Sequence, residues 1–398
     1  MSTQGSGNSL PRIPTLDGLR GIAILVVIMQ HIFVWTPLID AGTFDMMFGR
    51  VFVLLAPLSM DLFFVISGYL ITSILDRTRD ADHPLRTFYL RRALRIVPLY
   101  YGFLLVVLVF FRHYPERLIG APGSMVWEFL FLTNVPVALR SVGTFFHHFW
   151  TLAVEEQFYV MWPLLMLLLP TRLNVKTCIA VIIGSVILRA ILAFTIGTMA
   201  GFLLTPGRLD ALAAGSVVAL IQNRNPALLT AWSKKLMWSG GIACLLGHAT
   251  VVVLFMSGFT WLSPKVWVTV MPFFASVFFA AVVAHLALSP RLDGPRWLLS
   301  PVLRSVARYS YGMYALHVPI GVLMFHHNLI ARSAPIAGFH LPYRIYLFIL
   351  VGGLSYGFGL ASWHLYEKQF LKLAPRYRYS GKTQPVESAL QGGAIPVP

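Results

Sequence analysis

Apolar runs long enough to cross the roughly 30 Å hydrocarbon core of a bilayer recur along the whole 398-residue chain. They lie near residues 16–36, 51–75, 95–111, 147–169 and 176–196, then near 207–222, 235–257, 265–288, 309–330 and 343–366. Each reads as a membrane-crossing helix, so the pattern predicts an all-α polytopic bundle of about ten transmembrane helices. A further run, Trp127 to Pro136, is too short to span and is closed by Asn134 and Pro136, which predicts one interfacial or re-entrant segment. Pro57, Pro98, Pro163, Pro272 and Pro319 fall inside spans. Neighbouring helices re-satisfy the carbonyls that such prolines free, so kinks are expected rather than breaks.

The pattern divides the chain into a polar cytoplasmic segment (1–15), a membrane domain (16–373) and a polar tail (374–398) expected to be disordered in the cytoplasm. The first span lacks a small-residue cleavage site and is expected to be retained.

Composition agrees. A 57% hydrophobic content, 12% charged residues and a mean hydropathy of +0.72 exclude a soluble globular surface, which carries about twice that charge. The net charge of +16 would suggest nucleic acid in a soluble chain, but here its placement explains it. With ten spans and the N-terminus inside, 21 of the Lys and Arg residues are cytoplasmic and seven are external, while Arg20, Arg189 and Arg208 lie within spans. The bias puts both termini inside and removes the case for nucleic acid. It leaves anionic lipid or a polyanionic cosubstrate as what the inner face attracts. Cys178 and Cys244 sit far apart in apolar runs and give neither a disulfide framework nor a metal spacing.

Candidate chemistry lies where ionisable residues interrupt apolar runs. Arg20 and His31 share the first span, 11 residues apart, so both project from one helical face about 16 Å apart. An arginine inside a span costs roughly 2.5–3.5 kcal/mol on insertion scales and persists where it has a partner, a cavity or a job; snorkelling to headgroups is the plainer alternative. Arg91, Arg92 and Arg95 crowd like charges at helical spacing ahead of the third span, an arrangement that asks for an anion such as a coenzyme phosphate. Ordinary positive-inside anchoring would also place arginines there.

Glu155 and Glu156 on the fourth span are expected about 12 Å below the outer surface, at the depth of His31. Either carboxylate would serve to orient a histidine acting as general base. Arg189 is placed to neutralise one of them. Arg208 and Asp210 would bind an external polar substrate, or each pair elsewhere. Asp61 and Ser67 lie on the second span within Ser59 to Tyr69, a stretch in which Gly68 permits close helix approach, and His317 near the midplane needs a partner or water. His147, His148, His326 and His327 lack acidic or cysteine companions at ligand spacing, so they read as interfacial and no metal is expected.

In chain order these segments resemble the membrane-bound acyltransferase 3 family. The likeness rests on Leu16-Asp17-Gly18-Leu19-Arg20-Gly21 with His31 later on the same helix, on Asp61-Leu62-Phe63-Phe64-Val65-Ile66-Ser67-Gly68-Tyr69-Leu70, and on the arginines ending at Arg95. It continues with Trp150-Thr151-Leu152-Ala153-Val154-Glu155-Glu156-Gln157-Phe158-Tyr159, Arg208-Leu209-Asp210 and Tyr309 to Pro319, covering residues 12–371. The resemblance implies an enzyme of the bacterial inner membrane. It would move an acyl group, often acetyl, from cytoplasmic acyl-CoA to a hydroxyl of a glycan, lipid or related acceptor. Acyl-CoA would be a cosubstrate, with no permanently bound cofactor.

On that reading Arg20, Arg91, Arg92 and Arg95 hold the donor phosphates. Its pantetheine arm, about 15–20 Å long, spans the gap to His31, which acts as base or briefly carries the acyl group, oriented by Glu155 or Glu156. Ser67, Trp150, Tyr159, Arg208, Asp210 and His317 are candidates for acceptor binding or for structure. Two features depart from the family: Glu367-Lys368-Gln369-Phe370 stands where Glu-x-Pro-Phe is usual, and no appended periplasmic hydrolase-like domain is visible, so the membrane part is expected to act alone or with a separate partner. The rival readings are an anion transporter or channel lined by the same charges, which would favour internal repeats not visible here, and a non-catalytic lipid-binding scaffold.

Overall fold

The computed structural model describes residues 13–36, 49, 58–111, 113–114, 125–140, 146–288, 295–331, 334, 336 and 339–380, with Arg140 and Phe255 as backbone only. The first twelve residues, the start of the second apolar run with Pro57, the charges at Arg50, Arg112 and Arg117, and the tail beyond 380 lie outside the described residues.

The described chain is helical. Its long helices are α1 (Pro14–Trp35), α2 (Leu58–Arg77), α3 (Pro84–Phe110), α4 (Trp150–Leu168), α5 (Asn174–Thr195), α6 (Leu209–Arg224), α7 (Pro226–Met256), α8 (Ser263–Leu288), α9 (Pro301–His326) and α10 (Leu341–Ser362). Seven of them, α1, α2, α3, α5, α7, α8 and α10, are long and apolar enough to cross a membrane, fewer than the ten that the apolar runs predict. The other three are short or polar for physical reasons. α6 has 16 residues, α4 carries both glutamates, and α9 carries Arg304, Arg308, three tyrosines and His317.

Helix starts also move. α3 begins at Pro84 and α9 at Pro301, each with proline in the first turn where its missing N–H is no loss. Arg91, Arg92 and Arg95 therefore stand on α3 itself rather than on a loop before it. The helices run unbroken through Pro98, Pro163, Pro272 and Pro319.

Two close approaches set the frame. A β-carbon on Gly21 of α1 would collide with the Leu303 carbonyl of α9, and one on Gly68 of α2 with the Leu212 carbonyl of α6. Only glycine lets these backbones come so near. The C-terminal end of α1 is held by the buried Arg344 of α10, which donates from Nε to Thr36 Oγ1 (3.0 Å) and from Nη2 to the Thr36 carbonyl (2.8 Å). A cation at a helix C-terminus satisfies carbonyls left without partners and complements the dipole.

The stretch before α4 does not span. It forms two short helices, Val126–Phe129 and Asn134–Arg140, broken at Phe131, whose φ is 54°. Side chains close the break: Gln157 Nε2 donates to the Phe131 carbonyl (2.9 Å) and to Asn134 Oδ1 (3.0 Å), and Asn134 Nδ2 donates to Thr205 Oγ1 (3.0 Å). Thr205 in turn donates to Gln157 Oε1. Irregular backbone at such depth requires this kind of internal satisfaction.

Candidate active site

The site has two ends, both begun on α1. At one end His31 lies one turn before the helix terminus that Arg344 fixes. Its Nδ1 is 2.9 Å from the Val27 carbonyl and 3.3 Å from Nε2 of His317. A carbonyl only accepts, so this nitrogen of the neutral ring carries the proton. His317, fully buried on α9, places its own Nδ1 2.7 Å from the Tyr314 carbonyl and 3.3 Å from that of Met313. The same argument puts its proton there and leaves Nε2 as an acceptor. The two assignments agree: His31 Nδ1–H is shared between Val27 and His317, and His31 Nε2 keeps its lone pair.

Two more imidazoles join them. The His147 ring is 5.8 Å from that of His31, and His148 is 5.2 Å from His317. Both precede α4 on the turn His147–Phe149. Their adjacency in sequence gave no sign of this, because the partners come from α1 and α9. His326 and His327, grouped with them on sequence, instead lie against Tyr114, whose hydroxyl is 2.6 Å from His327 Nε2. The half-buried Trp150 packs on Phe64 and Phe202.

At the other end Arg20, Arg92, Arg95, Glu155, Glu156, Tyr159 and Ser67 come together. The Arg92 guanidinium lies 4.0 Å from the Tyr159 ring centroid. Tyr159 and Ser67 hydroxyls are hydrogen-bonded to each other. Glu155 faces both hydroxyls and the charges of Arg92 and Arg20. Arg92 is also the cation nearest in effect to Glu156, whose Oε1 is buried without a hydrogen-bond partner, as is Arg92 Nε. Arg95 is faced by Arg20 and Arg92 and remains exposed.

This corrects the expected pairing of Glu155 or Glu156 with His31. His148 is the α4-side neighbour of the histidines, and Glu155 lies seven residues further on, about 10 Å along the helix. That distance carries both carboxylates down to the arginines. Tyr159 goes with them. Arg91 leaves the cluster altogether: its Nη1 donates to the Tyr377 carbonyl at 3.1 Å.

A cavity of about 100 Å³ connects part of the way. Arg20 and Glu155 line one end of it and Thr151 and Tyr314 the other. Tyr314, which lines it, donates its hydroxyl proton to the His148 carbonyl and accepts from Thr151 Oγ1 at 2.6 Å. The Tyr314 carbonyl is also what fixes His317, so one residue touches both ends. Thr151, Tyr311 and Tyr314 were not singled out from sequence, since aromatic and hydroxyl residues on a helix carry no spacing signal.

Near the arginines, Glu367 is buried, accepts from Ser362 Oγ (2.9 Å) and feels the charge of Arg95. It ends the π-helical turn Trp363–Glu367. Gln369, at the usual proline position of the family motif, is the second residue of the helix Lys368–Leu371 that follows. That helix continues directly from the π turn, so Gln369 lies within continuous helical backbone and not at a free helix start.

The remaining candidates form a separate, buried group. Arg208 Nη2 is 2.6 Å from Asp61 Oδ1, and Arg189 Nη1 is 2.8 Å from Asp210 Oδ2, with all four side chains fully buried. Arg189 therefore neutralises Asp210 and not Glu155 or Glu156, and Arg208 and Asp210 each take a partner on another helix.

Residues 13–361 match the family model described as an acyltransferase domain. The chain is 28% identical over 334 residues to the peptidoglycan O-acetyltransferase OatA of Listeria monocytogenes, covering 77% of this chain and 49% of that protein. It is 29% identical over 330 residues to the O-acetyltransferase OatA of Staphylococcus aureus, covering 78% and 51%. The chain thus spans about half the length of these relatives. No solved structure matches it. The matched residues include both ends of α1, the arginines of α3, the carboxylates of α4 and His317, and the chain belongs to the acyltransferase 3 family of membrane proteins.

Proposed function

We propose that this protein is an acyl-CoA-dependent O-acetyltransferase of the bacterial inner membrane, acting on a hydroxyl of a cell-wall glycan. The observation that carries the reading is the division of α1. One end brings Arg20 to Arg92 and the exposed Arg95, and the other holds His31 with Nε2 as its lone-pair nitrogen. Counted over ten spans, the positive-inside bias supports both termini being cytoplasmic, which puts the arginines on the side where acyl-CoA is made. The names of the relatives support the acetyl group and the glycan. Family membership favours this over an anion transporter.

Arg95 and Arg20 bind the donor phosphates, while Glu155 and Glu156 offset Arg92 and keep the crowded guanidinium groups from repelling one another. The pantetheine arm passes Tyr314 once its hydroxyl leaves Thr151 and the His148 carbonyl. His31 Nε2 then takes the proton from the acceptor hydroxyl as its oxygen attacks the thioester carbonyl carbon. The C–S bond breaks, and the thiolate leaves and is protonated to give CoA. Attack by Nε2 itself, through an acyl-imidazole, uses the same geometry. In either route His317 is the positioning residue that Glu155 and Glu156 were expected to be.

The test is transfer of label from acetyl-labelled acetyl-CoA to cell-wall glycan fragments by the purified full-length protein. Wild type releases CoA and labels the acceptor, and His31→Ala does neither while remaining folded. Undiminished transfer in His31→Ala overturns the assignment.

A further inference from the structure

A groove of about 470 Å³ runs along the outer flank of α3. Its floor is apolar, with Leu90, Leu94, Val97 and Leu105 from α3 and Phe370 from the helix after the π turn. The α3 positions keep the spacing of a single helical face, and that face points away from Arg92, which lies over Tyr159. The groove is therefore separate from the donor passage. From Leu90 to Leu105 the helix rises about 22 Å, about the half of a bilayer of roughly 40–45 Å, headgroups included, that belongs to one leaflet. Tyr101, Tyr366 and Tyr377 stand along it, as amphipathic rings do at a membrane interface.

One end of the groove is basic. Arg91 reaches the Tyr377 carbonyl (3.1 Å), with its guanidinium 5.8 Å from the Tyr379 ring. Arg376 and Arg378 flank Tyr377 and are exposed, as is Lys372, two residues beyond Phe370. Neither α3 nor residues 368–380 contain an Asp or Glu, so this positive rim is not offset from within its own two elements.

We propose that the groove seats an acyl chain of an anionic phospholipid, with the lipid phosphate against Arg376, Arg378 and Lys372. An apolar slot one leaflet long with a basic rim at one end matches the two parts of such a lipid. A zwitterionic lipid fills the slot but gains less from the rim. The inference rests on the chain being an integral membrane protein and is independent of acyl transfer.

The experiment is native mass spectrometry of the delipidated full-length protein with phosphatidylglycerol or phosphatidylcholine. Wild type retains phosphatidylglycerol in preference. Arg376→Gln with Arg378→Gln, both on exposed side chains, lowers that affinity about thirtyfold, the effect of two basic residues at an anionic surface, and leaves phosphatidylcholine binding unchanged. Ala93→Trp, which fills the groove, removes both lipids without altering the unfolding temperature. Equal affinity of wild type for the two lipids, or a phosphatidylglycerol preference that survives either variant, overturns the proposal.

Discussion

The ion pair between Asp61 and Arg208 separates a structural from a substrate-binding role for this part of the protein. Its atoms are 2.6 Å apart with both side chains fully buried. At an effective dielectric constant of about 20, Coulomb attraction at that distance is about 6 kcal/mol, against which stands the desolvation of both ions. Removing one partner strands the other charge, and such losses run to about 3–5 kcal/mol, a large part of a total stability of about 5–15 kcal/mol. Asp61→Leu and Arg208→Met should each destabilise by that amount. The double variant strands neither charge and should recover to within about 1–2 kcal/mol of wild type. Unfolding of the four proteins in one detergent gives the coupling energy directly. Single variants as stable as wild type, or a double variant destabilised by the sum of the two, would refute the pairing. A double variant that folds normally yet cannot transfer acetyl would refute the structural role, because the pair would then be touching substrate.

Three further outcomes follow from the same geometry. Arg95→Ala should raise the KM for acyl-CoA about ten- to a hundredfold, the worth of a charged hydrogen bond, while Arg91→Ala, whose side chain reaches Tyr377 instead, should leave it unchanged; steady-state kinetics showing equal effects would sink the distinction. His317→Ala should lower kcat about a hundredfold with little change in KM, and His317→Gln, whose amide oxygen accepts from His31 Nδ1–H, should restore part of it; no difference between the two variants means His317 does not position His31. Gly68→Ala should cost about 1–3 kcal/mol or more, because its β-carbon meets the Leu212 backbone carbonyl and not a side chain that can move, and an unaltered unfolding temperature would show that α2 and α6 are not in the close contact described.

What was legible in the sequence, and what was not, divides along one physical line. Hydrocarbon charges a cost for every ionisable side chain, so Arg20, His31, Glu155, Glu156 and Arg208 announce themselves by interrupting apolar runs, and rise per residue places them along their own helices. Partners are a different matter, because they depend on where each helix starts and how it is rotated against its neighbours. The apolar run of α4 opens at His147, but its α-helix opens at Trp150 after a 3-10 turn. Depth counted from the run set Glu155 level with His31, whereas the turn sets His148 there. Packing likewise takes Arg91 out of a cluster whose spacing had put it in and gives Arg189 to Asp210 and not to a glutamate, while Arg208 and Asp210 take partners elsewhere, the alternative that spacing had left open. Only the separation between Arg20 and His31 escaped this, since both lie on one continuous helix and no neighbour can change it. That separation makes α1 the fixed ruler of the site: α3, α4 and α9 determine what surrounds each end, but on the proposed mechanism the reach required of a donor is set by 11 residues of α1.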